Sequence, residues 1–247
     1  MTPVEPLAVF VAVVLCAAYV QTVSGFALGL IAMGTVGVLH LAPIPFAALV
    51  ISLLSLVNVA TALRGRTGDI QRTTLLASGL AMAPMVLVGL ATLHWLEGRS
   101  VEALRNLLGG FILVAGLLLM LRPHPRATPA PRWRAALWGA VGGLFGGLFS
   151  TAGPPIVFHL YREPIPIPAI RATLLAFFAA ATLTRLVSTG ASGAITREVL
   201  LWALLATPAV LAGTWAGRHF PPRVPDLAMR RFAFVLLAAL GGALLIG

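Results

Sequence analysis

Between Gly142 and Pro155 the chain reads Gly-Gly-Leu-Phe-Gly-Gly-Leu-Phe-Ser-Thr-Ala-Gly-Pro-Pro, which sets helix breakers and free hydroxyls inside a stretch apolar enough to lie in a membrane. In hydrocarbon a chain can leave its helix only where protein or a water-lined cavity satisfies the freed backbone groups. A weaker echo, Gln21-Thr-Val-Ser-Gly-Phe-Ala-Leu-Gly29, lies in the first half. Two interrupted segments in corresponding halves are the pattern from which membrane carriers build a binding site.

Composition establishes the membrane. The chain is 59% hydrophobic and 10% charged, with a mean hydropathy of +0.98, against about 25% charged in soluble domains. All seven acidic residues (Glu5, Asp69, Glu97, Glu102, Glu163, Glu198, Asp226) fall at or near the ends of apolar stretches, so no carboxylate is expected in the hydrocarbon. The formal charge of +10 rests on 17 arginines and no lysine. These sit mainly between apolar runs, where cytoplasmic loops collect positive charge, and this excludes a nucleic-acid binder. Cys16 is the single cysteine, so neither an intrachain disulfide nor a cysteine metal cluster can form. Met1 to Pro6 carry no positive side chain, and a secretory signal peptide is not expected. Neither a cofactor nor a metal is called for.

Eight apolar segments are marked by polar or Pro/Gly punctuation: 7–41, 46–63, 74–95, 102–121, 134–160, 168–189, 198–217 and 228–246. A spanning helix needs about 20 residues. The first run is too long for one ordinary span and too short for two, and its glycines predict an interruption. The proline-rich connection 123–133 cannot form helix or ladder and divides the chain into a first membrane repeat, 1–122, and a second, 134–247. At an offset near 125, Pro45 matches Pro168, Gly68 Gly193, Pro84 Pro208, Gly89 Gly213, Arg105 Arg230 and Gly116 Gly241. Such matches in punctuation residues point to an internal duplication.

The arginines test topology. If all eight segments cross once, they divide nearly evenly between the two sides. If segment five turns back near Gly153, four (Arg99, Arg105, Arg185, Arg197) lie on one side and the other thirteen on the opposite one. The positive-inside rule favours the second arrangement. The expected fold is therefore an all-α integral membrane protein of two duplicated, inverted halves, each with one broken or re-entrant Gly-rich segment plus three transmembrane helices. The central loop would face the cytoplasm and both chain ends the outside. Eight plain spans with parallel halves are the competing arrangement.

The chain resembles the TauE/SafE family, also called the toluene-sulfonate uptake permease family. Gln21 to Gly29, Gly146-Gly-Leu-Phe-Ser-Thr-Ala-Gly-Pro-Pro155 and Arg171-Ala-Thr173 carry the resemblance, which covers essentially the whole chain. It implies a bacterial inner-membrane carrier of sulfite, sulfonates or other sulfur-containing or organic anions. Many relatives carry a glycine-rich stretch ending in proline in each half; here the first half has no proline between Gly25 and Pro43, so the two breaks are not chemically equivalent.

Several residues are candidates for an anion site. Ser150 and Thr151 are hydroxyl donors and N-cap candidates, Gly153 permits unusual backbone geometry, and Pro154 suits the first turn of a half-helix. Such an N-terminus binds anions without a full positive charge. Gln21, Ser24 and Gly25 are the matching candidates in the first half. The alternative for both sets is that the glycines serve close helix packing and the hydroxyls bond their own backbone. Arg171 and Arg185 bracket the sixth segment, where each either meets substrate or snorkels to an interface. Asn58 either lines the pathway or bonds across helices. His159 and His40 follow the two breaks and titrate near neutral pH if unperturbed.

The expected partners are a small anionic substrate and the bilayer, and a homo-oligomer is compatible with the chain. Two other readings stand: a passive anion channel, and an intramembrane enzyme using Ser150 and His159, which would require the base within hydrogen-bond reach of the nucleophile.

Overall fold

The computed structural model describes residues 4–120, 126–221 and 226–246. Residues 121–125, which take in Arg122 and the start of the proline-rich connection, and Arg223 lie outside the described residues, as do the side chains of Arg230 and Arg231. The described residues form ten α-helices and one 3-10 turn (Thr67–Asp69), with no strand among them. The helices are α1 (Val4–Ser24), α2 (Leu28–Leu39), α3 (Ile44–Ala62), α4 (Arg72–Glu97), α5 (Val101–Met120), α6 (Arg132–Phe149), α7 (Gly153–Leu160), α8 (Ile167–Ala191), α9 (Arg197–His219) and α10 (Asp226–Ile246). Six of them, α1, α3, α4, α5, α8 and α9, are long and apolar enough to cross a membrane. The outer surface is apolar too, with Leu80, Val187 and Leu204 each more than 65% exposed. The polar residues Gln21, Ser52, Asn58, Thr151, Thr182 and Arg185 lie buried inside. This is the polarity of a multi-pass membrane protein.

The first and fifth apolar segments each break once. α1 ends at Ser24; Gly25 (φ +87°) and Ala27 (φ +101°) take left-handed backbone before α2 begins. α6 ends with Ser150 at φ +57°, whose amide donates to the Gly146 carbonyl at 3.0 Å. The helices that follow start alike: Pro43 precedes α3 with Pro45 in its first turn, and Pro166 precedes α8 with Pro168 in its first turn. Proline in a first turn loses no intrahelical bond. α4 and α9 each carry an interior proline, Pro84 and Pro208, tolerated where neighbouring helices re-satisfy the freed carbonyl.

Glycine sets the closest helix contacts and reveals their direction. Gly139, Gly143 and Gly147 of α6 meet the backbone of Ser78, Met82 and Val86 of α4 in that order, so α4 and α6 run the same way. Gly213 of α9 meets Leu15, and Gly217 meets Tyr19 and Thr22, so α1 and α9 also run the same way. On α10, Gly241 meets Leu113 while Leu244 meets Gly109, so α5 and α10 run oppositely. Gly34 and Gly37 of α2 face Leu240 and Leu244, and α2 follows α10. Small residues that let backbones touch are the usual basis of helix association in lipid, where apolar burial supplies little drive. α3 and α8, the most buried of the six spans, pack against each other, α3 also against α9 and α8 against α4.

Candidate functional site

The two helix breaks meet. A Cβ placed on Gly29 would lie 2.6 Å from the Ser150 carbonyl oxygen, and one on Gly25 would lie 3.1 Å from Arg171 Cγ. Tyr161, just after α7, donates its hydroxyl to the Ser24 carbonyl at 3.1 Å. Between the breaks is a cavity of about 30 Å³, room for one or two waters. Its polar lining comes from Gln21, Ser55, Ser150, Thr151 and Thr182, and its small-residue wall from Ala27, Gly29, Gly146, Ala152, Gly153 and Ala181. Four sequence candidates, Gln21, Ser150, Thr151 and Gly153, are thus brought together.

Gln21 bridges the first break. Its Oε1 accepts from the Leu28 amide at 3.0 Å, covering the first free N–H of α2, and its Nε2 donates to Asn58 Oδ1 at 2.8 Å. Asn58 Nδ2 in turn donates to Thr214 Oγ1 at 2.7 Å and to Thr22 Oγ1 at 3.2 Å. Asn58 is fully buried and lies outside the cavity lining; its geometry is that of a bond across α1, α3 and α9. Ser24 also stays local, its hydroxyl 2.7 Å from the Val20 and Phe26 carbonyls.

The second break differs from the expected chemistry in three respects. Neither Ser150 nor Thr151 caps α7: its N-cap is Ala152, without a side-chain cap bond. Ser150 instead closes α6, with its hydroxyl 2.8 Å from that of Ser52. The left-handed residue is Ser150 and not Gly153, at which a Cβ would meet only ordinary contacts, 3.7 Å from Phe178 and 3.9 Å from Leu30. Pro154 and Pro155 have no N–H, so of the four amide positions at the start of α7 only Ala152 and Gly153 offer a donor, beside those of Gly29 and Leu30 from α2. Thr151 Oγ1 is buried with no hydrogen-bond partner, and a buried hydroxyl in that state costs about 1–3 kcal/mol. Two helix N-termini, a free hydroxyl and no carboxylate border one cavity, a setting suited to an anion.

The remaining candidates lie elsewhere. Arg171 is half-buried, its stem against Gly25. Arg185 does not snorkel: it is 1% exposed, and its Nη1 donates to the Gly146 carbonyl at 3.2 Å and to the Gly147 carbonyl. It therefore bonds carbonyls in the last turn of α6, that of Gly146 also accepting the Ser150 amide, where a cation complements the helix dipole. His159 is buried on α7, 3.9 Å from Glu163, which pairs with Arg126 at 2.8 Å; His40 lies 3.1 Å from Arg105. Ser150 bonds Ser52, so no nucleophile–base pair joins it to His159. Ser55 and Thr182 had no motif to mark them, being single small hydroxyl residues inside apolar spans.

A family model described as "Sulfite exporter TauE/SafE" matches residues 10–244. The probable sulfite/organosulfonate exporter TauE of Cupriavidus necator is 36% identical over 228 residues, 92% of this chain and 89% of its own. The probable inner membrane transporter protein TsaS of Comamonas testosteroni is 31% identical over 165 residues, 65% of this chain and 68% of its own. No solved structure matches the chain.

Proposed function

Because the chain belongs to the sulfite exporter TauE/SafE family, a family of transporters, we propose that it is a secondary carrier of a small sulfur-containing or organic anion, sulfite or a sulfonate foremost, in a bacterial inner membrane. The anion binds where the two breaks meet, held by Thr151 and Ser150, the first-turn amides of α2 and α7, and Ser55 and Thr182 from the flanking spans. Gln21, Asn58, Ser24, Gly25 and Pro154 shape the breaks, and Arg171 braces the first. The observation that carries this reading is the unpartnered Thr151 hydroxyl at the meeting of two helix N-termini.

On this reading the halves 1–122 and 134–247 are inverted repeats joined on the cytoplasmic side by the connection 123–133, whose last two residues open α6. Helix directions support it. If α3 to α5 alternate across the membrane, and α8 to α10 likewise, opposed α5 and α10 make α8 run against α3. α1, parallel to α9, then runs with α3 while α2 returns; α6, parallel to α4, runs with α8. Both broken segments enter and leave by one face, from opposite sides. The exchange of partners, α4 with α6 and α9 with α1, fits a two-fold relation, and transport is a rocking of the halves about the meeting breaks. A 30 Å³ cavity is tighter than the anion requires, so the breaks part to admit it.

The test is a thermal-stability screen of purified protein with sulfite, thiosulfate, methanesulfonate and small carboxylates. A ligand at 100 times its Kd stabilises by about 2.7 kcal/mol. A raised melting temperature with the sulfur oxyanions supports the proposal, and no shift with any of the set overturns it.

A further inference from the structure

A second cavity, of about 230 Å³, lies between α3, α4, α8 and α9, apart from the one between the breaks. Its polar lining is Arg185 and Thr189 from α8, His94 and Glu97 from the last turn of α4, and Thr196 at the cap of α9; the rest is apolar. Arg185 is among the largest fully buried side chains, and its Nε has no hydrogen-bond partner. Among the described residues the ion pairs are made by Arg126, His159 and Glu163, so no carboxylate neutralises this guanidinium. A buried charge without a counter-ion is costly, and within a membrane such a residue faces a partner or a pathway. The two carbonyls that Arg185 holds offset part of that cost and leave its net charge unpaired. The start of α9, capped by the Thr196 hydroxyl accepting from the Val199 amide, adds the positive end of a 23-residue helix.

We propose that this cavity is a second anion station, on the face bearing Glu97 and Ala194, which the arginine distribution makes the outer one, and that Arg185 is its binding cation. The inference rests on the carrier reading above and adds a step to it. The carbonyl of Gly146, which Arg185 holds, belongs to a residue that also lines the cavity between the breaks, so the guanidinium stands at the wall between the two sites. The carboxylate of Glu97 is exposed at the same cavity and repels an anion there, keeping the station weak enough to pass its occupant on, as permeation sites must.

The experiment is uptake of radiolabelled sulfite by the full chain in membrane vesicles of known orientation, with KM measured from each face. Glu97→Gln lowers KM from the outer face about two- to fivefold, the span given by partly exposed charges, and leaves the inner-face KM unchanged. Arg185→Gln raises outer-face KM about tenfold or more, the scale of one hydrogen bond to a charged partner. Arg185→Lys, which keeps the cation and guards against misfolding, gives a smaller rise. Wild-type outer-face KM in both Glu97→Gln and Arg185→Lys overturns the proposal, as do equal changes from the two faces. Failure of the carrier reading is read separately: Thr151→Val, in the other cavity, would then transport normally from either side.

Discussion

Replacing Thr151 by valine separates a binding hydroxyl from a structural one, because the two roles predict opposite results. Thr151 is 3% exposed and its Oγ1 has no partner. Valine has nearly the same shape and removes the hydroxyl. An unsatisfied buried polar group costs about 1–3 kcal/mol, so the ligand-free variant gains up to that amount. For a chain of this size each kcal/mol shifts the melting temperature by about 2–4 °C. The same change deletes a hydrogen bond to a charged substrate, about 1.5–3 kcal/mol or roughly 10- to 150-fold in affinity. The assay pairs melting of purified protein, with and without sulfite, against uptake in proteoliposomes. The account predicts a variant at least as stable as wild type, no longer stabilised by sulfite, and with uptake reduced at least tenfold. A variant that melts lower yet transports normally would refute the assignment, because the hydroxyl would then have been serving the fold.

Three further outcomes follow from the geometry. A Cβ at Gly143 meets the Met82 backbone, whereas one at Gly110 meets nothing within 4 Å; Gly143→Ala should lose about 1–3 kcal/mol by overpacking while Gly110→Ala melts at or above wild type. Ala27 holds φ +101°, left-handed backbone that costs an L-residue about 1–2 kcal/mol; after glycine's entropy penalty of about 0.5–1 kcal/mol, Ala27→Gly should raise stability slightly and Ala27→Val lower it, read by thermal melts. A reporter enzyme active only in the periplasm, fused to the C-terminus, should work, and activity confined to a cytoplasmic reporter would contradict the inverted topology.

The breaks were legible in unequal degree. Gly142 to Pro155 announces the second through its breakers, and α6 and α7 part within it. The first is marked more weakly, by an overlong apolar run with glycines in it, because its restart depends on Ala27 in a left-handed conformation and on the Gln21 amide reaching seven residues ahead. Gln21, Ser150, Thr151 and Gly153 fall together, since residues beside a break must line whatever space it opens. Cap chemistry did not follow the motif: backbone geometry placed the positive φ on Ser150, and the two prolines removed amides from the turn they start. The surroundings of Arg185 were not legible, for a tertiary reason. Its partners, Gly146 and Gly147, lie 39 and 38 residues away, and composition within a span says nothing of what the neighbouring helix exposes. Ser55 and Thr182 stayed hidden because a lone hydroxyl in an apolar span looks the same whether it faces a cavity or its own helix.

The central claim is that one anion site is carried between two faces by paired, oppositely entering breaks. Counterflow measures this most directly: purified protein in proteoliposomes is preloaded with unlabelled sulfite, and entry of labelled sulfite is followed across a range of outside concentrations. A carrier predicts saturable entry that is faster with sulfite inside than without it, and loss of both properties in Thr151→Val. Flux that rises linearly with concentration and ignores the inside sulfite would contradict the account.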